Sequence, residues 1–303
     1  MTSQVLNFLW LNLDLPAPPD PKDGSIREPL PAKYIENTRK AGKARPAAEI
    51  NLWVDSKRLT QRQVDYLKKS LEEGMTNVHL KDLRDIPAYG KEKLYNKAET
   101  NPHWRDMDQT SLIWRQVDAA KILISLQGSF DQAFFADLDH AHLDIDSKEV
   151  QTMLTKHGLM IGSADSHYAS IENQLWGFTA KRRKFFEDYY KEALNCAYHG
   201  DNAWEALEEK VYNEIEDDEG IDIEEICLPI SDDGTQAEQP GHQWRTGLDK
   251  PVAPSVLSGT KALADFKKTA GNDNKAEPSA APKHKILSKI PFIGSKFKAV
   301  PSA

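Results

Sequence analysis

The sequence predicts an α/β fold, a mixed sheet flanked by helices with a disordered C-terminal tail, on three observations. Short apolar runs alternate with segments whose apolar residues recur every third or fourth position. Glycine, proline and capping residues punctuate the boundaries between them. After residue 246 the composition changes to Ala, Pro, Ser, Lys, Gly and Asn with few aromatics, which is how a chain without a packed core reads.

Taken in order, residues 5–13 (VLNFLWLNL) are a short apolar run before a proline-rich loop, and predict a first buried strand. Residues 31–41 predict a helix entered at Pro31 and closed by Gly42. Residues 49–54 (EINLWV) predict the second strand. Thr60 is placed to cap a helix that carries Val64, Leu67 and Leu71 on one face. Residues 78–80 predict a third strand, so the first part of the chain reads β-α-β-α-β, the order of a parallel sheet with crossover helices. Residues 111–126 predict a buried helix ended by Gly128, and residues 134–139 the next strand. Two further strands are expected at 159–164 and 171–179, then helices at 184–199 and 203–212.

Composition narrows the function. The 303 residues include 39 Lys and Arg against 47 Asp and Glu, a net charge of −8 that argues against a nucleic-acid binder. Cys196 and Cys227 are the only cysteines and have no metal-site spacing, which fits a reducing compartment. No stretch approaches the ~18 apolar residues of a membrane span, and the N-terminus lacks a basic signal-peptide region. The expected location is the cytoplasm, peripheral to a membrane, or outside the cell by export without a conventional signal peptide.

The most informative stretch is Phe134-Phe135-Ala136-Asp137-Leu138-Asp139. An apolar run that ends in two carboxylates spaced i, i+2 brings two hard oxygen ligands to the rim of a sheet, where Mg²⁺ or Mn²⁺ and phosphate oxygens suit them. An EF-hand calcium loop would need Asp or Asn at the fifth position and Gly at the sixth, where Ala141 and His142 stand. A haloacid-dehalogenase-type phosphatase would need Thr or Val where Ala141 stands. His140, His142, His157 and His167 match no closed zinc site. The acidic run over residues 214–225 reads as a solvated face.

In order along the chain, the landmarks resemble those of sugar-nucleotide transferases of the GT-A fold that carry a DXD motif, above all the DXD sugar-binding-region transferases and the catalytic domain of the large clostridial glucosylating toxins. The early strand carries Phe8-Leu9-Trp10. The helix before the DXD reads Val117-Asp118-Ala119-Ala120-Lys121, and Gly128 leads into Phe135-Ala136-Asp137-Leu138-Asp139. Ser170-Ile171-Glu172-Asn173 follows, and Gly241-His242-Gln243-Trp244 stands where a closing segment would. The chain departs from the pattern at Lys121, which replaces an arginine, at a missing double glycine before the strand, and at His140.

The resemblance implies a GT-A-like, Rossmann-like mixed sheet and transfer of a sugar from a UDP-sugar with retention of configuration, dependent on Mn²⁺ or Mg²⁺. It implies catalytic roles for Asp118, Lys121, Asp137, Glu172 and Asn173. Trp10, Asp118, Asp137, Asp139 and Trp244 would bind the donor, and Asp137, Asp139 and His242 the metal. The acceptor is left open among protein, glycan and lipid, and an effector role is part of the same resemblance. The departures support an alternative, a non-catalytic GT-A-like module recruited to a membrane or protein partner. A third alternative is another metal-dependent phosphate-ester enzyme.

The expected organisation is a transferase domain over residues 1–246, a disordered linker over 247–282 and a basic amphipathic tail over 283–303. Within the tail, residues 283–298 combine five lysines with six large apolar residues and no acid, a pattern suited to an anionic membrane surface.

Overall fold

The computed structural model describes residues 3–14, 16–91, 109–141, 144–163, 171–199, 201, 203–229 and 256–257. The chain divides into a unit spanning Met1–Gly259 and another spanning Thr260–Ala303, and every described residue belongs to the first. The expected linker and tail lie outside the described residues, except that strand β9 (Val256–Leu257) pairs antiparallel with β2 (Ile26–Arg27).

The expected fold class, α/β with a mixed sheet flanked by helices, is the observed one. Seven strands form the sheet: β1 (Gln4–Leu9), β3 (Glu49–Val54), β4 (Val78–Asp82), β5 (Gln132–Ala136), β6 (Leu159–Ser163), β7 (Ile171–Thr179) and β8 (Cys227–Pro229). Their order is β4-β3-β1-β5-β7-β6-β8. The pairings β4–β3, β3–β1, β1–β5 and β6–β8 are parallel, and β7 runs antiparallel to both β5 and β6.

The strands are apolar on both faces because helices cover both, as a parallel sheet requires. On one face, Leu6, Phe8, Ile50, Leu52, Phe134 and Ala136 pack on α1 (Ala32–Ala44), α2 (Gln61–Glu72) and α5 (Lys148–His157). On the other face, Val5, Leu9, Trp53, Ala133 and Phe135 meet α4 (Gln109–Ser125), α6 (Arg183–His199) and α7 (Ala203–Lys210). A short helix, α3 (Pro87–Lys91), adds Tyr89 to this second cluster. Fully burying one side chain of this kind contributes about 1.5–3 kcal/mol. The fit is tight at Gly177 in β7, where an added Cβ would lie 2.5 Å from the Phe134 ring of β5.

Several elements refine the expectation. Thr60 caps α2 in a full capping box with Gln63. The first strand stops at Leu9 and not at residue 13, because the carbonyls of Asn12 and Leu13 are taken by Arg58 and not by a neighbouring strand. The DXD strand stops at Ala136, and Asp137 and Asp139 sit in the turn beyond it, where His140 N–H donates to Asp137 O at 2.8 Å. The last expected helix gives way after Lys210 to a π-helical segment, Val211–Asp217, that takes up the start of the acidic run. Helix α5 was not expected from the apolar pattern. Ser147 caps it, and Gly158 closes it at φ +73°, a conformation that favours glycine.

Candidate functional site

Strands β1, β3, β4 and β5 all point the same way, so their C-terminal ends form one rim. Between β1 and β5 the strand order reverses, since β1 is followed by β3 on one flank and β5 by β6 on the other, and this is the place where open α/β sheets bind ligands. Because β7 runs antiparallel to β5, its N-terminal residues reach the same rim. Topology therefore brings Trp10, Asp137, Asp139, Glu172 and Asn173 to one edge, and α4 lays Asp118 and Lys121 beside them.

A break in strand pairing shapes this edge. Ile161 pairs with Trp176 and Gly162 with Glu172, so Asn173, Gln174 and Leu175 are extra residues on β7 relative to β6. Bulges of this kind re-aim groups next to functional sites. Here the bulge turns the Gln174 carbonyl toward Asp137 N–H at 2.8 Å and the Asn173 carbonyl toward Lys121 Nζ at 3.3 Å. The Asn173 amide donates to Asp118 Oδ1 at 3.0 Å, which ties β7 to α4. Glu172 Oε2 accepts from the Gln174 amide at 3.4 Å.

Lys121 is the hub. It is only 4% exposed, and its ammonium lies 3.0 and 3.2 Å from the two oxygens of Asp137 and 5.4 Å above the Phe135 ring. Burial pushes the lysine down, but Asp137 and Asp118 outweigh it and leave the net shift upward. Burial raises Asp137 to about 6 against the pull of Lys121, with Asp139 adding to the rise. Burial also raises the Asp118 carboxyl, opposed by Lys121 and by the Asn173 hydrogen bond.

Asp139 is buried, its side chain 3% exposed, with Oδ1 4.0 Å from His140 Nε2. His140 Nε2 lies 3.0 Å from Gln174 Oε1, so this histidine is a core group of the turn. The structure adds two residues of α1 that carry no motif in the sequence. The Asn37 amide donates to the carbonyl of Leu138, the middle residue of the DXD, at 3.1 Å. The Tyr34 phenol is raised by burial and then by the charges of Asp139 and Asp137. Half-buried Trp10 meets the Tyr34 ring at 5.7 Å between centroids.

A second buried polar cluster occupies the same rim at the ends of β3 and β4. Arg84 grips Asp55 with two hydrogen bonds of 2.7 and 2.6 Å, the Tyr89 hydroxyl donates to Asp55 at 2.9 Å, and Arg58 lies 3.6 Å from it. Nothing in the spacing of these residues along the chain signals the cluster.

The pair Asp137 and Asp139 offers hard oxygen donors that fit a divalent ion, and Lys121 already supplies a cation to one of them. Among the described residues no three His, Cys, Asp or Glu side chains are grouped to hold a metal. His242 and Trp244, expected to close the site, lie outside the described residues, as do His142 and His167. His157 pairs instead with Glu225 at 2.9 Å.

No family model and no curated protein matches the chain. Among solved structures it is similar to PaToxG glycosyltransferase, with 12% identity and a TM-score of 0.43 over 88% of this chain and 84% of that one. It is also similar to the glycosyltransferase GlyE of Streptococcus pneumoniae TIGR4, with 11% identity and a TM-score of 0.38 over 86% of this chain and 56% of that one. A third is the galactosyltransferase LgtC in complex with donor and acceptor sugar analogs, with 12% identity and a TM-score of 0.35 over 90% and 97%.

Proposed function

We propose that this chain is a glycosyltransferase that moves a sugar from a UDP-sugar to an acceptor with retention of configuration, dependent on a divalent metal. The observation that carries the reading is the convergence of Asp118, Lys121, Asp137, Asp139, Glu172 and Asn173 at the switch point of the sheet, in the order that the sequence resemblance requires. In the reaction the anomeric C–O bond to the diphosphate breaks, UDP leaves with the electron pair, the acceptor oxygen bonds to the anomeric carbon, and the acceptor's hydroxyl proton passes to the departing diphosphate.

Asp139, with Asp137 beside it, would hold Mn²⁺ or Mg²⁺, which supplies neutralisation of the departing diphosphate. Asp118 accepts hydrogen bonds from ribose or sugar hydroxyls. Lys121 keeps Asp137 ionised and in place. Glu172 and Asn173 line the sugar side, Trp10 the base side, and Trp244 with His242 would complete the closure. The acceptor class stays with protein, glycan or lipid, and the tail over residues 283–298 would bring the domain to an anionic membrane.

Calorimetric titration of UDP in Mn²⁺ tests this. Wild type is expected to bind in the micromolar range, and Asp139→Asn to lose at least tenfold while melting within a few degrees of wild type. The Lys121–Asp137 ion pair also supports a second reading, a non-catalytic binding module, since one carboxylate already has its cation. Wild type that ignores UDP in Mn²⁺ would move the chain to that reading.

A further inference from the structure

We propose that Arg58 is a positioning residue of the donor site, clamping the loop that follows β1 to helix α4. The guanidinium is buried in the short 3₁₀ turn Ser56–Arg58 behind β3. One of its nitrogens, Nη1, donates to the carbonyls of Asn12 and Leu13 at 2.9 Å each. The other, Nη2, donates to Gln116 Oε1 at 2.7 Å, and Gln116 is itself 2% exposed. Behind it stands Asp55, anchored in turn by Arg84 and Tyr89. A planar fork with several fixed donors joins three elements in a way that lysine's single point charge does not.

What the clamp joins gives it a role beyond stability. Asn12 lies two residues beyond Trp10, on the base side of the rim. Gln116 lies two residues before Asp118 and within the same helix as Lys121. Arg58 therefore sets the distance between the groups that would face the base and those that would face the ribose and diphosphate. The inference rests on the UDP-sugar reading above, because it is a donor spanning the rim that would feel this distance.

The test compares wild type, Gln116→Leu, Gln116→Glu and Arg58→Lys by UDP calorimetry in Mn²⁺ and by UDP-sugar kinetics. Gln116→Leu cuts only the leg to α4 and leaves Arg58 its contacts to Asp55 and the loop. It is expected to weaken UDP binding and raise KM by about tenfold each, with kcat within about threefold of wild type. Arg58→Lys is expected to follow it, and Gln116→Glu, which restores an acceptor oxygen, to recover most of the loss. Folded Gln116→Leu and Arg58→Lys proteins that bind UDP within about twofold of wild type would overturn the clamp alone. Wild type that binds no UDP would overturn the donor reading, and the clamp with it.

Discussion

Lys121 shows how much one side chain can decide at this rim. Its ammonium is held by a carboxylate, a backbone carbonyl and an aromatic face, and all three come from elements other than its own helix. Removing one partner of a buried ion pair leaves a bare charge behind and typically costs about 3–5 kcal/mol. Lys121→Met is therefore expected to lose about 3 kcal/mol of unfolding free energy in urea, and Lys121→Met/Asp137→Leu to regain most of it. The pH dependence follows from the folded pKa of Asp137, about 6 against an ordinary 3.8. Such a group binds its proton more tightly when folded, so its ionised form burdens the fold above that window and not below it. In EDTA the loss in Lys121→Met should be smaller at pH 5 than at pH 8. Equal losses at both would mean that Asp137 finds another cation.

Elements explain where these residues stand. The bulge on β7 hands two backbone groups to Asp137 and Lys121, and the cluster on β3 and β4 fixes the opposite end of the rim. Asp55 in that cluster is a second titrating anchor with the opposite sign. Burial pushes its carboxyl up, but hydrogen bonds and charge from Arg84 outweigh that and hold it below 3.8. A depressed folded value gives stability that is present above pH 3.8 and lost as pH falls through the lower folded value. Wild type should thus exceed Asp55→Asn in stability at pH 7, and the gap should close as urea midpoints are followed from pH 5 to pH 2. A gap that persists at pH 2 would rule out the Asp55 charge as its source.

At the scale of the whole molecule, the sheet was legible because strands buried on both faces write themselves as short apolar runs, as at residues 133–136 and 159–161. Strand ends were less so: whether Asn12 extends β1 or leaves it depends on Arg58, far along the chain, and periodicity carries no such information. Helix α5 leaves little trace in the sequence because its buried face is only Val150, Met153, Leu154 and His157 in an otherwise polar stretch. The DXD, Asp118, Lys121 and the Glu172-Asn173 pair were legible as ordered landmarks, and the structure brings them together. Tyr34, Asn37, Gln174 and the Asp55 cluster were not, because their roles come from tertiary contacts and a bulge. We propose that this rim cleaves a nucleotide-sugar. It is tested most directly by release of UDP from a panel of UDP-sugars, in Mn²⁺ or EDTA, by wild type and by Asp137→Asn/Asp139→Asn. Mn²⁺-dependent release from one donor, abolished in the double variant, is expected. Silence across the panel, joined to an absence of UDP binding, would contradict it.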